Sequence, residues 1–212
     1  MFLIHGMGRT PLSLALLARR LRAAGHFPSD FGYFVTRDPL ARIAERFVAH
    51  VEEVRQEHGD AGGFAVVGHS LGNVITRMAL PKLPDLSRFV MLAPPNRPPV
   101  MAQSLARNPV FRALTRDAGD KLLDEEFFAR LPVPAVPTLI VAGTRGPKVR
   151  WLPLAHHASD GVVSVEETRL AGLPHLEVPA IHTFIMNDAE VARLTLRFLE
   201  AGTLVESTSA RE

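Results

Sequence analysis

The sequence contains no cysteine, and only three of its 212 residues are lysine. The absence of cysteine excludes disulfides, thiol catalysis and cysteine-based metal sites. No apolar run reaches the roughly 18 residues of a membrane-spanning helix. The apolar start, residues 1–4, is also too short for a signal peptide. We therefore expect a cytoplasmic protein without a membrane span.

An excess of one charge is also absent, because 24 basic and 22 acidic residues leave a formal net charge of +2. A nearly neutral chain has no general electrostatic attraction for nucleic acid or for an acidic membrane. Apolar residues make up 47% of the chain and charged residues 22%, as in ordinary globular proteins. We expect no nucleic-acid partner and no stable membrane insertion; the sequence does not specify an oligomeric state.

Short apolar runs alternate along the chain with amphipathic segments of helical periodicity. This alternation predicts an α/β fold, in which a parallel sheet carries helices on both faces. The predicted strands cover residues 2–4, 31–36, 64–67, 89–92, 138–141 and 175–178. The main predicted helices cover residues 10–25, 39–59, 71–81 and 188–199, and the polar segment after Gly202 is expected to fray.

One segment, residues 97–134, interrupts the alternation between the fourth and fifth strands. It is too long for a simple crossover and contains two predicted short helices, 100–106 and 121–131. Two interpretations are open: an elaborated crossover that only packs on the body of the molecule, or a small cap over Ser70. We treat residues 1–212 as a single domain that carries this helical insertion.

The stretch from Phe64 to Asn73 has the pattern of a buried strand, a sharp turn and the start of a helix. Within it, Gly68 and Gly72 flank Ser70 in a Gly-x-Ser-x-Gly arrangement. Such a turn strains the backbone of the serine and leaves no room for side chains at the glycine positions. A phosphate-binding loop is excluded because no Lys-Ser or Lys-Thr follows the last glycine. A glycine-rich turn without chemistry is the remaining alternative.

A serine nucleophile needs a base, and the base needs an acid that orients it; in this type of sheet the chain order is serine, acid, histidine. His182 suits the base, since it follows the last strand and precedes the last helix. Asp160 suits the acid because it lies after the fifth strand, although an aspartate before glycine is often only a turn. The other candidates are His156, His157 and His175 for the base, and Asp117, Asp120 and Asp124 for the acid.

An oxyanion intermediate needs two hydrogen-bond donors. The backbone N–H of Leu71, directly after the serine, can supply one of them. The loop after the first strand, His5-Gly6-Met7-Gly8, can supply the second through the N–H of Met7. The alternative for Met7 is simple core packing.

Taken together, these motifs resemble the α/β-hydrolase superfamily, specifically its small bacterial lipase- or esterase-like members. The resemblance rests on His5-Gly6-Met7-Gly8, Gly68-His69-Ser70-Leu71-Gly72, Asp160-Gly161-Val162-Val163-Ser164 and Ile181-His182-Thr183-Phe184, which match in order and spacing. It implies a minimal α/β-hydrolase fold of about six mostly parallel strands, without the first hairpin of the full fold. It also implies hydrolysis of a small-molecule ester or lipid by a Ser-His-Asp triad, with no metal and no organic cofactor.

Three alternatives to an esterase share this fold: a thioesterase, an amidase, and a binding protein without catalysis. The insertion adds an expectation about the substrate, because it leaves the carboxyl end of the fourth strand and carries many apolar residues. These residues, Phe111 and Phe128 among them, predict that the insertion borders an acyl-binding pocket and sets the preferred chain length.

Overall fold

A central sheet of six strands organises the molecule, whose computed structural model describes residues 1–59 and 62–203. The strands are β1 (Phe2–Ile4), β2 (Ser29–Phe31), β3 (Phe64–His69), β4 (Leu86–Leu92), β5 (Thr138–Gly143) and β6 (His175–Val178). Their order in the sheet is β2-β1-β3-β4-β5-β6, and every neighbouring pair is parallel. The predicted α/β fold with about six parallel strands is therefore confirmed.

Helices connect the strands and cover both faces of the sheet. They are α1 (Ala15–Ala23), α2 (Leu40–Glu57), α3 (Leu71–Ala79), α4 (Val100–Leu105), α5 (Pro109–Leu122), α6 (Glu125–Arg130), α7 (Val165–Thr168) and α8 (Ala189–Ala201). Short 3₁₀ turns lie at Pro11–Leu14, Leu80–Lys82 and His182–Asn187. No helix within the described ranges is long and apolar enough to cross a bilayer. Residues 204–212, most of the segment expected to fray, lie outside the described residues.

Two apolar clusters fill the space between the sheet and its helices. Successive side chains of a strand point to opposite faces, so Leu3 and Val67 pack with α1 and α8 on one side. Their neighbours Ile4 and Val66 pack with α2 and α3 on the other side. Burial on both faces explains why the strands read as continuous apolar runs.

The second strand is shorter than predicted and lies earlier in the chain, since β2 covers Ser29–Phe31 instead of residues 31–36. The alternation that suggested the longer strand is real, because Tyr33 and Val35 are buried. However, β1 ends at Ile4, which pairs with the last residue of β2. The residues beyond that point have no neighbouring strand to hydrogen-bond, and they form a loop at the carboxyl edge of the sheet.

The insertion contains three helical segments instead of the two predicted ones, and the middle segment, α5, is kinked at Arg116, whose φ of 48° and ψ of −131° are not helical. The unpredicted helix is α5, although Asn108 caps its first turn and Pro109 follows, which is a common start signal. The predicted helix 121–131 is wrong at its start: Lys121 belongs to the last turn of α5. A separate helix, α6, begins after its own cap, Asp124.

Candidate active site

Ser70 occupies the turn between β3 and α3 in a strained backbone conformation, with φ 51° and ψ −122°. A non-glycine residue adopts a positive φ at an energetic cost, so the surroundings must hold it there. The N–H of Ser70 donates to the carbonyl of Leu92 over 2.9 Å. A Cβ atom at Gly68 would lie 2.3 Å from the side-chain oxygen of Asn73, and one at Gly72 would lie 2.5 Å from the carbonyl oxygen of Ile4. The crowding expected around the glycines is confirmed.

The side chains of Ser70, His182 and Asp160 form one hydrogen-bonded series at the carboxyl edge of the sheet. The Nδ1 atom of His182 lies 2.6 Å from Oδ2 of Asp160, and its Nε2 atom lies 2.9 Å from Oγ of Ser70. A carboxylate only accepts, so Nδ1–H of His182 donates to Asp160, and neutral Nε2 accepts from the serine hydroxyl. Both His182 and Asp160 are buried, with 8% and 2% of their surface exposed.

Asp160 is at the same time the first residue of a tight turn. Its Oδ1 atom accepts from the N–H groups of Val162 and Val163 over 2.9 Å and 2.8 Å, and Gly161, which follows Asp160, has φ 99°. Its carbonyl accepts from the N–H of His182 over 3.0 Å. The turn and the contact with the histidine are therefore compatible, because the two carboxylate oxygens serve different partners.

Two of the other acidic candidates, Asp117 and Asp124, bond elsewhere. Asp117 accepts from the N–H of Leu40 at the start of α2. Asp124 accepts from the N–H of Phe127 in α6. One of the alternative bases, His175, is also engaged elsewhere: its ring lies at the start of β6 and contacts the hydroxyl of Thr168.

The backbone amides of Met7 and Leu71 are the two expected donors beside the serine. Leu71 opens α3, where the first N–H groups have no partner within the helix. Among the residues that the structure describes, neither amide has a hydrogen-bond acceptor. The loop that carries Met7 reaches the serine turn, since a Cβ atom at Gly6 would lie 3.0 Å from Cβ of Ser70. The side chain of Met7 packs against the core, so its packing and a role for its amide can coexist.

His5 and Tyr33 hold the same loop, and sequence reasoning gave them no role. Their rings stack with centroids 4.3 Å apart. The N–H of Tyr33 donates to Nε2 of His5 and the Tyr33 hydroxyl donates to the His5 carbonyl, so Nδ1–H of His5 donates to the carbonyl of Gly6. Burial lowers the pKa of His5 below its usual 6.5, which keeps the ring neutral in this arrangement.

His69 is a second residue that sequence reasoning passed over, because its place before the serine excluded it only as the base. It is 1% exposed, and its ring centroid lies 5.0 Å from that of His182. Its position inside the Gly-x-Ser-x-Gly motif was the available signal.

The two predicted pocket residues occupy different environments. Phe111 is partly buried against the core, and Phe128 is buried and packs edge-on against Phe127. Phe128 also lines a cleft of about 610 Å³ between the insertion and α7, whose lining includes the alternative base His157 but not Ser70, Asp160 or His182. The proposed acyl-binding role of Phe111 and Phe128 stays a prediction. Among the described residues, no group of three or more His, Asp or Glu side chains is arranged to hold a metal ion.

A parallel sheet with a serine held in a strained strand–helix turn defines the α/β-hydrolase fold. The sequence model of the alpha/beta hydrolase family matches residues 1–208, and the chain belongs to this family. No curated protein sequence gives a significant match.

Solved structures share the fold at low sequence identity. The mature lipase BlEst2 of Bacillus licheniformis has a TM-score of 0.76 at 16% identity, covering 96% of this chain and 91% of its own. Phospholipase PlaB of Legionella pneumophila has a TM-score of 0.72 at 18% identity, covering 95% and 59%. An extracellular alpha/beta-hydrolase of a Paenibacillus species has a TM-score of 0.59 at 16% identity, covering 93% and 97%.

Proposed function

We propose that the protein is a serine hydrolase that cleaves carboxylic esters through an acyl-enzyme intermediate. The observation that carries this proposal is the hydrogen-bonded series from Asp160 through His182 to the hydroxyl of Ser70. Serine is a poor nucleophile by itself, and this arrangement is the one that activates it. The strained turn at Ser70, and the lack of an acceptor for the amides of Met7 and Leu71 among the described residues, support the same proposal.

The first half-reaction acylates the serine. Nε2 of His182 takes the proton from Oγ of Ser70 as Oγ bonds to the ester carbonyl carbon. The carbonyl oxygen becomes an anion, and the N–H groups of Met7 and Leu71 donate to it. Collapse of this intermediate breaks the bond to the alcohol, and His182 returns its proton to the departing oxygen.

The second half-reaction restores the enzyme. Water gives a proton to His182 and its oxygen bonds to the acyl carbon, so that a second oxyanion forms at the same two amides. Collapse releases the carboxylic acid, and the proton on His182 returns to Oγ of Ser70. Asp160 stays ionised throughout and stabilises the imidazolium that forms twice in each cycle.

The environment of Asp160 supports the role of an orienting anion. Two backbone amides and the ring of His182 donate to its two carboxylate oxygens. The backbone bond between His182 and Asp160 also ties the two loops together, so the ring keeps its orientation between acid and nucleophile.

The similar structures favour an ester as the substrate, because two of them are named as a lipase and a phospholipase. A thioester or an amide could be cleaved by the same groups. A panel of p-nitrophenyl esters, acyl thioesters and acyl anilides, compared by kcat/KM, separates these classes. We expect the esters of one acyl-length range to be the best substrates.

The test of the nucleophile is covalent labelling with a fluorophosphonate, followed by mutation. Ser70→Ala should abolish labelling and lower ester turnover by several orders of magnitude while the fold is unchanged by circular dichroism. Ser87→Ala is a matched control, since this serine donates to the carbonyl of Phe64 at the opposite end of the sheet. Near-normal turnover by pure Ser70→Ala protein would refute the proposed enzyme, and an unlabelled wild type would favour a binding protein.

The test of the acid is Asp160→Asn, which keeps the size of the side chain and removes its charge. If Asp160 acts as in other triads, turnover should fall by roughly 10³–10⁴ with little change in binding. Asp117→Asn serves as the comparison. An equal loss from that variant would overturn the assignment.

A further inference from the structure

The loop after β5 is exposed, basic and aromatic, and the proposed reaction makes no use of it. Residues 145–157, here called the basic loop, contain Arg145, Lys148 and Arg150 and no acidic residue. These three side chains are exposed. Trp151, the only tryptophan of the sequence, is 81% exposed. Exposure of so large an aromatic ring beside a run of cations is unusual for a surface that contacts only water.

The basic loop begins and ends next to the acid of the proposed triad. A β-bridge joins Arg145 to Ser159, and the N–H of Gly146 donates to the Ser159 carbonyl over 2.7 Å. Asp160 follows directly. The ammonium of Lys148 donates to the carbonyl of His157 across the base of the loop. The loop therefore projects from the same edge of the sheet at which Ser70 lies.

Exposed apolar side chains continue around this edge on three other segments. They are Leu12 in the first 3₁₀ turn, Phe34 after β2, and Phe184, two residues after His182. The 3₁₀ turns that carry Leu12 and Phe184 contact each other. The Phe34 loop adjoins the first of them, since a Cβ atom at Gly32 would lie 3.2 Å from the ring of Pro11. Together with the basic loop, these residues make the catalytic face.

Positively charged side chains also lie beside the exposed apolar residues of the catalytic face. The guanidinium of Arg37 stacks over the ring of Phe34, 5.0 Å from its centroid. Arg37 and Arg9 form no ion pair with any residue in the described part of the chain. The nearby carboxylates are engaged: Asp38 pairs with two arginines of α2, and Asp188 caps α8.

We infer that the catalytic face docks reversibly on an anionic lipid–water interface, with Trp151 at the level of the headgroups. Tryptophan prefers this level because its ring is apolar and its N–H is polar. Arginine and lysine near an anionic leaflet each strengthen binding about fivefold. The substrate class, lipid esters held in such a layer, rests on the proposed function; the docking itself does not.

Two other occupants fit the face less well. A nucleic acid would match its cations but would leave Leu12 and Phe184 without an apolar partner. A second copy of the chain, related by two-fold symmetry, would bring the cations of one basic loop against like charges of the other. An anionic lipid surface satisfies both the charges and the apolar side chains.

The experiment uses Ser70→Ala protein, so that vesicles are not hydrolysed during the measurement. Trp151 emission is recorded with vesicles of phosphatidylcholine alone and of equal parts phosphatidylcholine and phosphatidylglycerol. We expect a blue shift with the anionic vesicles only, weakened by salt because charged contacts are screened. Co-sedimentation gives the affinity.

The variant Arg145→Gln/Lys148→Gln/Arg150→Gln should bind the anionic vesicles about 100-fold more weakly. When the same three substitutions are made in the protein that retains Ser70, its turnover of soluble esters should be unchanged. The matched control, Arg19→Gln/Lys82→Gln/Arg130→Gln, removes the same charge from exposed residues outside the basic loop and should bind as the parent does. Trp151→Ala should bind more weakly in co-sedimentation.

Three results with vesicles would overturn the inference: equal binding to neutral and anionic vesicles, no binding to either, or an equal loss of affinity in both triple variants. Two further results would also overturn it. One is a concentration-dependent dimer that the basic-loop variant no longer forms, and the other is an affinity for a DNA duplex equal to that for anionic vesicles. The two proposals fail separately. Vesicle binding without any ester hydrolysis would support the docking inference and refute the proposed esterase. Hydrolysis of soluble esters without vesicle binding would support the esterase and refute the docking.

Discussion

The ring of His69 holds the backbone of His182 in place. Its Nε2 atom lies 3.1 Å from the carbonyl oxygen of His182, and because a carbonyl only accepts, Nε2–H of His69 is the donor. The Nδ1 atom of His69 has no hydrogen-bond partner among the described residues and faces Gly6. Burial, and next the neighbouring His182, lower the pKa of His69 well below 6.5, so the ring is neutral. We therefore propose that His69 positions His182.

Replacing His69 by Phe should lower kcat by about 10- to 100-fold with little effect on KM, because a misplaced base slows the proton transfer more than it weakens binding. His69→Gln, whose amide can donate, should recover part of the loss. His58→Phe, at the exposed end of α2, is the control. Steady-state kinetics with a soluble ester measures the effect. A change in KM alone would contradict the positioning role.

Stability should fall as the pH drops below about 6.5, because burial lowers the pKa of both His5 and His69. The unfolded chain takes up protons near the usual histidine pKa, whereas the folded chain takes them up only at lower pH. The contribution is therefore full above about 6.5 and decreases towards the lowered values. Urea unfolding across this range measures it, and His69→Gln should reduce the slope. A pH-independent free energy of unfolding would contradict this prediction.

Gly72→Ala should destabilise the fold by about 1–3 kcal/mol, as overpacking in a tight site commonly does. The added methyl group would lie 2.5 Å from the carbonyl of Ile4 and 2.8 Å from that of His5, and both belong to backbone that cannot easily shift. Thermal or urea unfolding gives the value. The comparison is Gly32→Ala, whose methyl group would meet only the ring of Pro11 at 3.2 Å and should cost less. Equal costs would mean that contact with β1 is not the cause.

The insertion should affect acyl-length preference if it borders the substrate. Each methylene of a buried chain is worth at most about 0.8 kcal/mol, so a pocket of several carbons gives a steep preference. Phe111→Ala is the better probe because this residue is only partly buried. Phe128→Ala also tests the prediction, but truncation of a buried Phe costs about 3–5 kcal/mol of stability.

Relative kcat/KM values across a p-nitrophenyl ester series are the measurement, with folding checked for each variant. We expect a flatter profile or a shift towards longer chains. Unchanged relative rates in both variants, and in a protein whose insertion is shortened to a tight turn, would make residues 97–134 an elaborated crossover.

The sequence by itself determined the architecture and the place of the turn that carries Ser70. Buried strands carry apolar residues on both faces, and their alternation with amphipathic helices specifies a parallel sheet. Gly68 and Gly72 are local signals, because a turn of this kind has no room for other residues. The strand at 31–36 was misplaced since its apolar alternation is equally compatible with a loop; only the length of β1 sets where pairing stops.

The tertiary structure decided which groups meet across long separations in the chain. His69 and His182 are 113 residues apart in sequence, and no spacing rule links them. The stack of His5 on Tyr33 likewise depends on β2 lying beside β1. The residue type of Trp151 does not by itself predict that its side chain is exposed. Hydrogen bonds and burial depend on the relative placement of loops at the sheet edge, whereas periodicity and turn chemistry act between near neighbours in the chain.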